Sequence, residues 1–112
     1  MNVETTQHGD VVLIAIEGTI DTLTADEIST HFEEQIAGGH TRLVVDLTDV
    51  DYLASTGLRL LLTIMNQVRE KGGDLKLLEP NENVRRIMDL TGIFTLIDVH
   101  PDAESAIESY SD

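Results

Sequence analysis

Two β-rich runs open the chain and predict a hairpin. Val3 to Thr6 and Val11 to Glu17 flank a short polar segment in which Gly9 can adopt positive φ at little cost. The second run, "VVLIAIEG", is apolar on both faces, which predicts an interior strand. "RLVVDL" has the length and composition of a buried parallel strand, "DLKLLE" supplies another strand, and "FTLIDV" is a candidate last strand.

Segments with helical spacing separate these runs. Thr24 and Glu27 match a capping box, which predicts the start of a first helix that ends at Gly38-Gly39. A second helix is predicted from Thr56 to about Glu70, a third after Pro80, and a short fourth from Pro101-Asp102. The predicted inward residues are Ala25, Ile28, Phe32 and Ile36 in the first helix, Val84, Ile87 and Met88 in the third, and Ala103, Ala106, Ile107 and Tyr110 in the fourth.

This alternation of strands and helices predicts the fold class. We expect one α/β domain spanning residues 1–112, with a mixed β-sheet, an N-terminal antiparallel hairpin and about four helices packed mainly on one face.

The net charge of the chain limits the classes of molecule that it can bind. Twenty-one acidic and seven basic residues give a formal net charge of −14 at pH 7. Such a chain repels nucleic acid, which is bound through cationic contacts to phosphate, and gains nothing from anionic membranes. The charge suits a protein partner with a basic face, and it equally suits a role in solubility or adaptation to a salty cytoplasm.

Other global features point to the cytoplasm. The chain has no cysteine, which suits a reducing compartment. Met1 precedes polar and acidic residues instead of a secretory signal, and no apolar segment has the length of a membrane span.

The sequence contains no recognisable motif of a catalytic site. The chain has no G-x-S-x-G motif and no Gly-rich phosphate loop, and no base is apparent that would make Ser55 a nucleophile. The four histidines lack metal-ligand spacing and are interpreted as surface residues. We therefore expect no catalysis, no metal and no cofactor.

Three aspartates follow the strand "RLVVDL". Asp46, Asp49 and Asp51 could belong to a receiver-like phosphoryl acceptor, but the segment "AIEGTID" lacks the adjacent acidic residues that such a site needs for its metal. We interpret the three as turn and loop residues that hydrogen-bond the local backbone.

The stretch "DYLASTGL" places two hydroxyl residues before a helix. Ser55 fits an N-cap whose hydroxyl accepts the amide of Leu58, with Thr56 and Gly57 in the first turn. Gly57 lowers helix propensity, which indicates either the close approach of another group or a tight turn. The residues leave open whether the hydroxyl caps the helix or is offered to another protein.

Three segments together resemble the STAS domains of bacterial anti-sigma factor antagonists. "RLVVDLTDVDYLASTGLRLLL" is similar to the family's strand that leads through Asp-Ser-Ser-Gly-Leu into the second helix. "VVLIAIEGTIDTLTADEI" resembles its early segment, and "GGDLKLLEPNENVRRIMDLTGIFTLIDVHPDAESAI" its remainder. The resemblance covers essentially the whole chain.

The resemblance implies a regulatory phosphorylation site. It places the acceptor at Ser55, the first hydroxyl of the pair, in preference to Thr56; the family's frequent Asp before it is Ala54 here. Asp21 matches the acidic residue of the loop that lies beside the phosphorylation loop in that fold. The implied partner-binding residues are Asp21, Thr22, Ala54, Ser55, Thr56, Gly57 and Leu58.

The resemblance also implies the partners. The unphosphorylated antagonist would bind an anti-sigma factor that is a serine kinase of the histidine-kinase-like ATPase superfamily, and this would release a sigma factor. Phosphorylation would break the complex, and a PP2C-type phosphatase would restore it. Two alternatives remain: a partner subunit of a lipid-trafficking ABC transporter, or a partner-switching regulator with a non-sigma output.

Overall fold

A five-stranded mixed sheet organises the computed structural model, which describes residues 2–111. The strands are β1 (Asn2–His8), β2 (Val11–Ile20), β3 (Arg42–Leu53), β4 (Asp74–Leu78) and β5 (Val99–His100). The helices are α1 (Thr22–Ala37), α2 (Ser55–Glu70), α3 (Glu82–Asp89) and α4 (Ala103–Glu108), with one short 3-10 helix at Ile93–Thr95. The strands lie in chain order, β1 antiparallel to β2 and the other pairs parallel, so the predicted fold class is confirmed.

The two faces of the sheet are covered unequally. Helices α1, α2 and α3 pack on one face around a core that includes Ile14, Phe32 and Leu61, all almost completely buried. Helix α4 packs on the other face, where Ala106 lies in a smaller cluster with Val44. Three of the four helices thus share one face, as predicted.

The hairpin turns at the predicted glycine. Gly9 has φ 65 and lies between His8 and Val11, which pair across the two strands. Both strands extend beyond their predicted bounds, and β2 is an interior strand between β1 and β3. The predicted ends of α1 and α2 are also confirmed, since α1 stops at Ala37, directly before Gly38-Gly39, and α2 stops at Glu70.

The prediction of a strand at "FTLIDV" is wrong. The segment contains a 3-10 turn, and β5 is limited to two residues after it. Ile93 and Ile97 are both buried, and the Ile97 amide donates to the Ile93 carbonyl at 3.0 Å. Phe94 and Thr95 lie in the 3-10 helix and Leu96 follows it, so most of the predicted strand belongs to a helical turn.

Tyr110 anchors the C-terminal segment but is not part of α4, contrary to the prediction. The helix ends at Glu108, and the buried Tyr110 ring lies just beyond it. Its hydroxyl is 2.7 Å from the carbonyl oxygens of Leu43 and Asp74, at the starts of β3 and β4. The side chain therefore ties the end of the chain to the sheet.

Asp46, Asp49 and Asp51 lie within β3, so their prediction as turn and loop residues is wrong. Register irregularities in the pairing of β2 with β3 allow the longer strand to continue as far as Leu53. The expected local hydrogen bonding is present at Asp46, whose carboxylate accepts the Thr48 amide at 2.9 Å. Over residues 2–111, no group of three or more His, Asp or Glu side chains is arranged to hold a metal ion.

Candidate partner-binding site

Parallel pairing brings two loops together at the carboxyl end of the sheet. Ile20 pairs with Leu53 at the ends of β2 and β3, and the Ala54 amide donates to the Ile20 carbonyl at 2.8 Å. Asp21 follows the first strand directly, and Ser55 follows Ala54. The segments that precede α1 and α2 therefore lie side by side, with Asp21 and Ser55 at the same end of the sheet.

Asp21 begins α1, and the predicted capping box of Thr24 with Glu27 is wrong. The Asp21 carboxylate accepts the amides of Leu23 and Thr24 at 2.9 and 3.1 Å. The Thr24 hydroxyl accepts the Asp21 amide at 3.0 Å and donates to the Thr19 carbonyl at 2.7 Å. The reciprocal box is thus formed by Asp21 and Thr24, three residues earlier than predicted.

This capping role changes the interpretation of Asp21. The residue was expected in an exposed loop, but it is half-buried and its carboxylate is engaged at the helix start. A substitution there tests two properties at once, the negative charge and the cap. Asparagine separates them, since it caps helices about as well as aspartate without the charge.

Ser55 is the first residue of α2, so its prediction as N-cap is wrong. The N-cap is Ala54, in an extended conformation, and no side chain provides a cap hydrogen bond. The bond from the Ala54 amide to β2 fixes Ala54 before the helix, so the helix begins one residue earlier than expected. The hydroxyl of Ser55 does not cap the helix, and the residue is exposed.

The neighbouring hydroxyl of Thr56 is in a different environment. Its Oγ1 atom is buried and has no hydrogen-bond partner among the residues that the structure describes. Ser55 is open to an approaching enzyme, whereas Thr56 Oγ1 is not. The two neighbouring hydroxyls thus differ in accessibility.

Gly57 allows α2 to begin directly against the sheet. A Cβ atom at this position would lie 2.5 Å from Leu53 Cδ1 and 2.6 Å from Ile20 Cγ2, closer than side chains approach one another. Of the two explanations that the sequence left open for Gly57, the structure shows the close approach of other side chains. Gly57 and Leu58 are both buried, unlike Ser55.

Several side chains on the two segments are exposed. Thr22 is exposed, Ala54 is partly exposed, and two large apolar residues, Leu23 and Tyr52, keep 90% and 51% of their surface accessible. Neither Leu23 nor Tyr52 was predicted as a site residue. The misplaced cap assigned Leu23 to a loop, where exposure of a leucine is unremarkable.

The helices of residues 2–111 are too short or too polar to cross a membrane. The longest, α1 and α2, have 16 residues each.

Comparison with known proteins identifies the family. The STAS domain model matches residues 2–106. The anti-sigma-B factor antagonist of Bacillus subtilis is 30% identical over 108 residues, which cover 96% of this chain and 98% of that protein.

Solved structures share the fold. An anti-sigma factor antagonist from Mycobacterium paratuberculosis has a TM-score of 0.89 at 24% identity and covers 99% of this chain and 94% of its own. The anti-sigma factor antagonist SpoIIAA has a TM-score of 0.82 in its unphosphorylated form, at 21% identity, over 96% of this chain and 95% of its own. Its phosphorylated form, from Bacillus, has a TM-score of 0.74 at 20% identity, over 96% of this chain and 98% of its own. With the family model matched from residue 2 to residue 106, the chain belongs to the STAS domain family.

Proposed function

We propose that this protein is an anti-sigma factor antagonist controlled by phosphorylation of Ser55. In its unphosphorylated form it binds an anti-sigma factor that is also a serine kinase, and a sigma factor is released. The kinase inactivates it by phosphorylating Ser55, and a PP2C-type phosphatase reverses the modification. The chain itself acts by binding and contributes no catalytic group.

The accessibility of Ser55 is the observation that carries this proposal. The residue is exposed at the first position of α2, while the adjacent Thr56 hydroxyl is buried. A kinase must reach the hydroxyl it modifies, and a binding partner must contact the group whose modification it senses. Ser55 meets both requirements, since it lies beside the exposed segment that begins α1.

The helix beneath Ser55 can accept a phosphate without unfolding. The N-terminus of α2 carries amides without intrahelical partners and a partial positive charge, which together stabilise a nearby anion. The phosphorylated form of SpoIIAA shares the fold of this chain, so in that protein phosphate and fold are compatible. We therefore expect phosphorylation to change the surface offered to the partner and to leave the sheet and helices intact.

A reconstitution with purified proteins tests the proposed function. The candidate anti-sigma kinase is loaded with its sigma factor, and unphosphorylated or stoichiometrically phosphorylated protein is added. We expect only the unphosphorylated form to release the sigma factor. With ATP present, the kinase should then phosphorylate the protein over time, and sigma release should stop. Failure to bind any candidate anti-sigma kinase, or complex formation only with the ATPase of an ABC transporter, would contradict the proposal.

Charge at Asp21 is expected to matter for binding independently of its capping role. Asp21→Asn should weaken binding to the kinase several-fold, because it removes the attraction between Asp21 and a basic partner face. Asp21→Lys should weaken binding by about tenfold or more, because it also places a like charge opposite that face. Isothermal titration calorimetry gives the dissociation constants, and thermal unfolding shows whether Asn retains the cap.

Asp102→Asn is the matched control for Asp21→Asn. Asp102 is also an N-cap, accepting the Ser105 amide at 2.8 Å, but it begins α4 on the other face of the sheet. We expect Asp102→Asn to leave the affinity for the kinase unchanged. Equal affinities for the wild type, Asp21→Asn and Asp21→Lys would remove Asp21 from the binding surface.

A further inference from the structure

Arg59 is exposed on α2, one helical turn after Ser55. Side chains four positions apart on a helix are neighbours, with Cβ atoms about 5–6 Å apart. An anionic residue followed four positions later by a cationic one is the more favourable order of such a pair, because it agrees with the helix dipole. Ser55 and Arg59 can therefore form an ion pair of the favoured order once Ser55 carries a phosphate.

Arg59 has no carboxylate partner in the unmodified protein. Within residues 2–111, Arg42, Arg69 and Arg85 each form an ion pair with a carboxylate, whereas Arg59 forms none. The chain has twenty-one acidic and seven basic residues, so carboxylates are not scarce. The guanidinium of Arg59 is thus available to an anion that the unmodified chain does not supply.

Other cationic side chains of the first half of the chain lie far from Ser55. Before Arg59 the sequence contains a single lysine or arginine, which is Arg42. Arg42 begins β3, whereas Ser55 follows the end of this strand, roughly 35 Å further along. Arg59 is therefore the cation that the first 68 residues place at the Ser55 end of the sheet.

The elements that pack against α2 contribute mostly carboxylates. These elements are α1, β3 and β4. Their charged and titratable side chains, apart from Arg42, are His31, Lys76 and the carboxylates of Asp26, Glu27, Glu33, Glu34, Asp46, Asp49, Asp51 and Asp74, and Asp21 precedes α1. Lys76 pairs with Val44 near the start of β3 and donates to Ser109 at 2.6 Å. A phosphate on Ser55 therefore has Arg59 as its counter-charge in a largely acidic setting.

We infer that Arg59 pairs with the phosphate of phosphorylated Ser55 and positions it at the start of α2. The inference rests on the proposed function, which supplies the phosphate, and adds how the phosphorylated site is organised. A guanidinium can donate two parallel hydrogen bonds to one phosphate, so the pair fixes the orientation of the phosphate as well as its charge. A partner then meets an oriented, fully ionised phosphate in place of the serine hydroxyl.

Phosphorus NMR titration of the full chain with phosphoserine at position 55 tests this inference. The phosphoserine is incorporated during translation, so the measurement requires no kinase. A nearby cation favours the dianion of the phosphate. Arg59→Gln should therefore raise the second pKa of the phosphate and move the titration midpoint up by about 0.3 pH units. Arg59→Lys keeps the charge and should retain most of the wild-type behaviour.

Lys71→Gln is the matched control for Arg59→Gln. Lys71 is exposed at the other end of α2, about 24 Å from Ser55, and its replacement removes the same charge. We expect the midpoint of this variant to equal that of the wild type. Arg59 is exposed and glutamine forms helices about as well as arginine, so both variants should fold; thermal unfolding verifies this.

The outcomes separate the inference from the proposed function. A midpoint unchanged by Arg59→Gln would overturn the inference. Equal rises for Arg59→Gln and Lys71→Gln would also overturn it, because net charge and not a local pair would be the cause. In both cases the proposed function stands, since its reconstitution does not depend on Arg59. A midpoint raised by Arg59→Gln alone supports the pair, even if the reconstitution fails and refutes the proposed function.

Discussion

Ser55→Ala is expected to abolish phosphorylation by the cognate kinase, whereas Thr56→Val should leave most of it. Ser55 is exposed at the first position of α2, and the Oγ1 atom of Thr56 is buried. Valine has nearly the shape of threonine, so it removes only the hydroxyl. Incubation with kinase and ATP, followed by peptide mass mapping, measures both rates and locates the phosphate. Phosphate mapped to Thr56 in the wild type would show that the acceptor is assigned wrongly.

The stability of the same two variants provides an internal control. If Ser55 capped α2, alanine would cost about 1 kcal/mol of unfolding free energy. Because the cap is Ala54 and the serine side chain is not used, we expect Ser55→Ala to stay within about 0.5 kcal/mol of the wild type. Thr56→Val removes a buried hydroxyl without a partner in the described structure, which should be neutral or stabilising. Loss of phosphorylation in Ser55→Ala can then be attributed to the missing acceptor.

The sequence predicted the elements that depend on long apolar patterns or on glycine. The hairpin at Gly9 and the parallel strand "RLVVDL" both appear in the structure, because a buried strand requires a continuous apolar run. At Gly57 the sequence offered close packing or a tight turn, and the structure shows the close packing. The hairpin and the strand are encoded in short segments of the chain, whereas the group that approaches Gly57 is identified only by the fold, because it includes Ile20 at the end of β2.

Helix starts were predicted less well, because adjacent polar residues compete for the same cap. Thr24 was assigned as the cap of α1, but its hydroxyl bonds the Thr19 carbonyl at the end of β2, and Asp21 takes the capping role. Ser55 was predicted as the cap of α2, but the position before the helix is taken by Ala54, whose amide donates to the Ile20 carbonyl across the β2–β3 ladder. Both shifts depend on contacts between β2 and β3, which only the folded chain contains. They also determine which side chains at the site are exposed.

Phosphorylation of Ser55 is expected to nearly abolish kinase binding, whereas Ser55→Asp should impair it only partly. The protein already carries a net charge of −14, and one phosphate adds about −1.5 to −2, so its long-range field changes little. Beyond about 8 Å that field is largely screened at physiological salt. Arg59, exposed one helical turn after Ser55, lies near enough to offset part of the added charge. Repulsion at a distance is therefore too weak to operate the switch.

Loss of fit at the contact is the stronger effect. The Ser55 hydroxyl must be desolvated between the neighbouring exposed side chains and the partner, and a phosphate there would be a buried charge without sufficient partners. Such a charge costs several kcal/mol, which changes a dissociation constant by orders of magnitude. Aspartate is smaller and carries one charge, so it should cost less.

Titrations of the unmodified, phosphorylated and Ser55→Asp proteins at low and high salt distinguish the two mechanisms. Short-range misfit predicts that the ratio of affinities between unmodified and phosphorylated protein stays large at both salt concentrations, even as every affinity falls. Ser55→Asp should lie between the two at each concentration. Long-range repulsion predicts instead that salt brings the phosphorylated protein close to the unmodified one. If high salt restores that binding, the short-range mechanism is wrong, because screening cannot remove a steric and desolvation penalty.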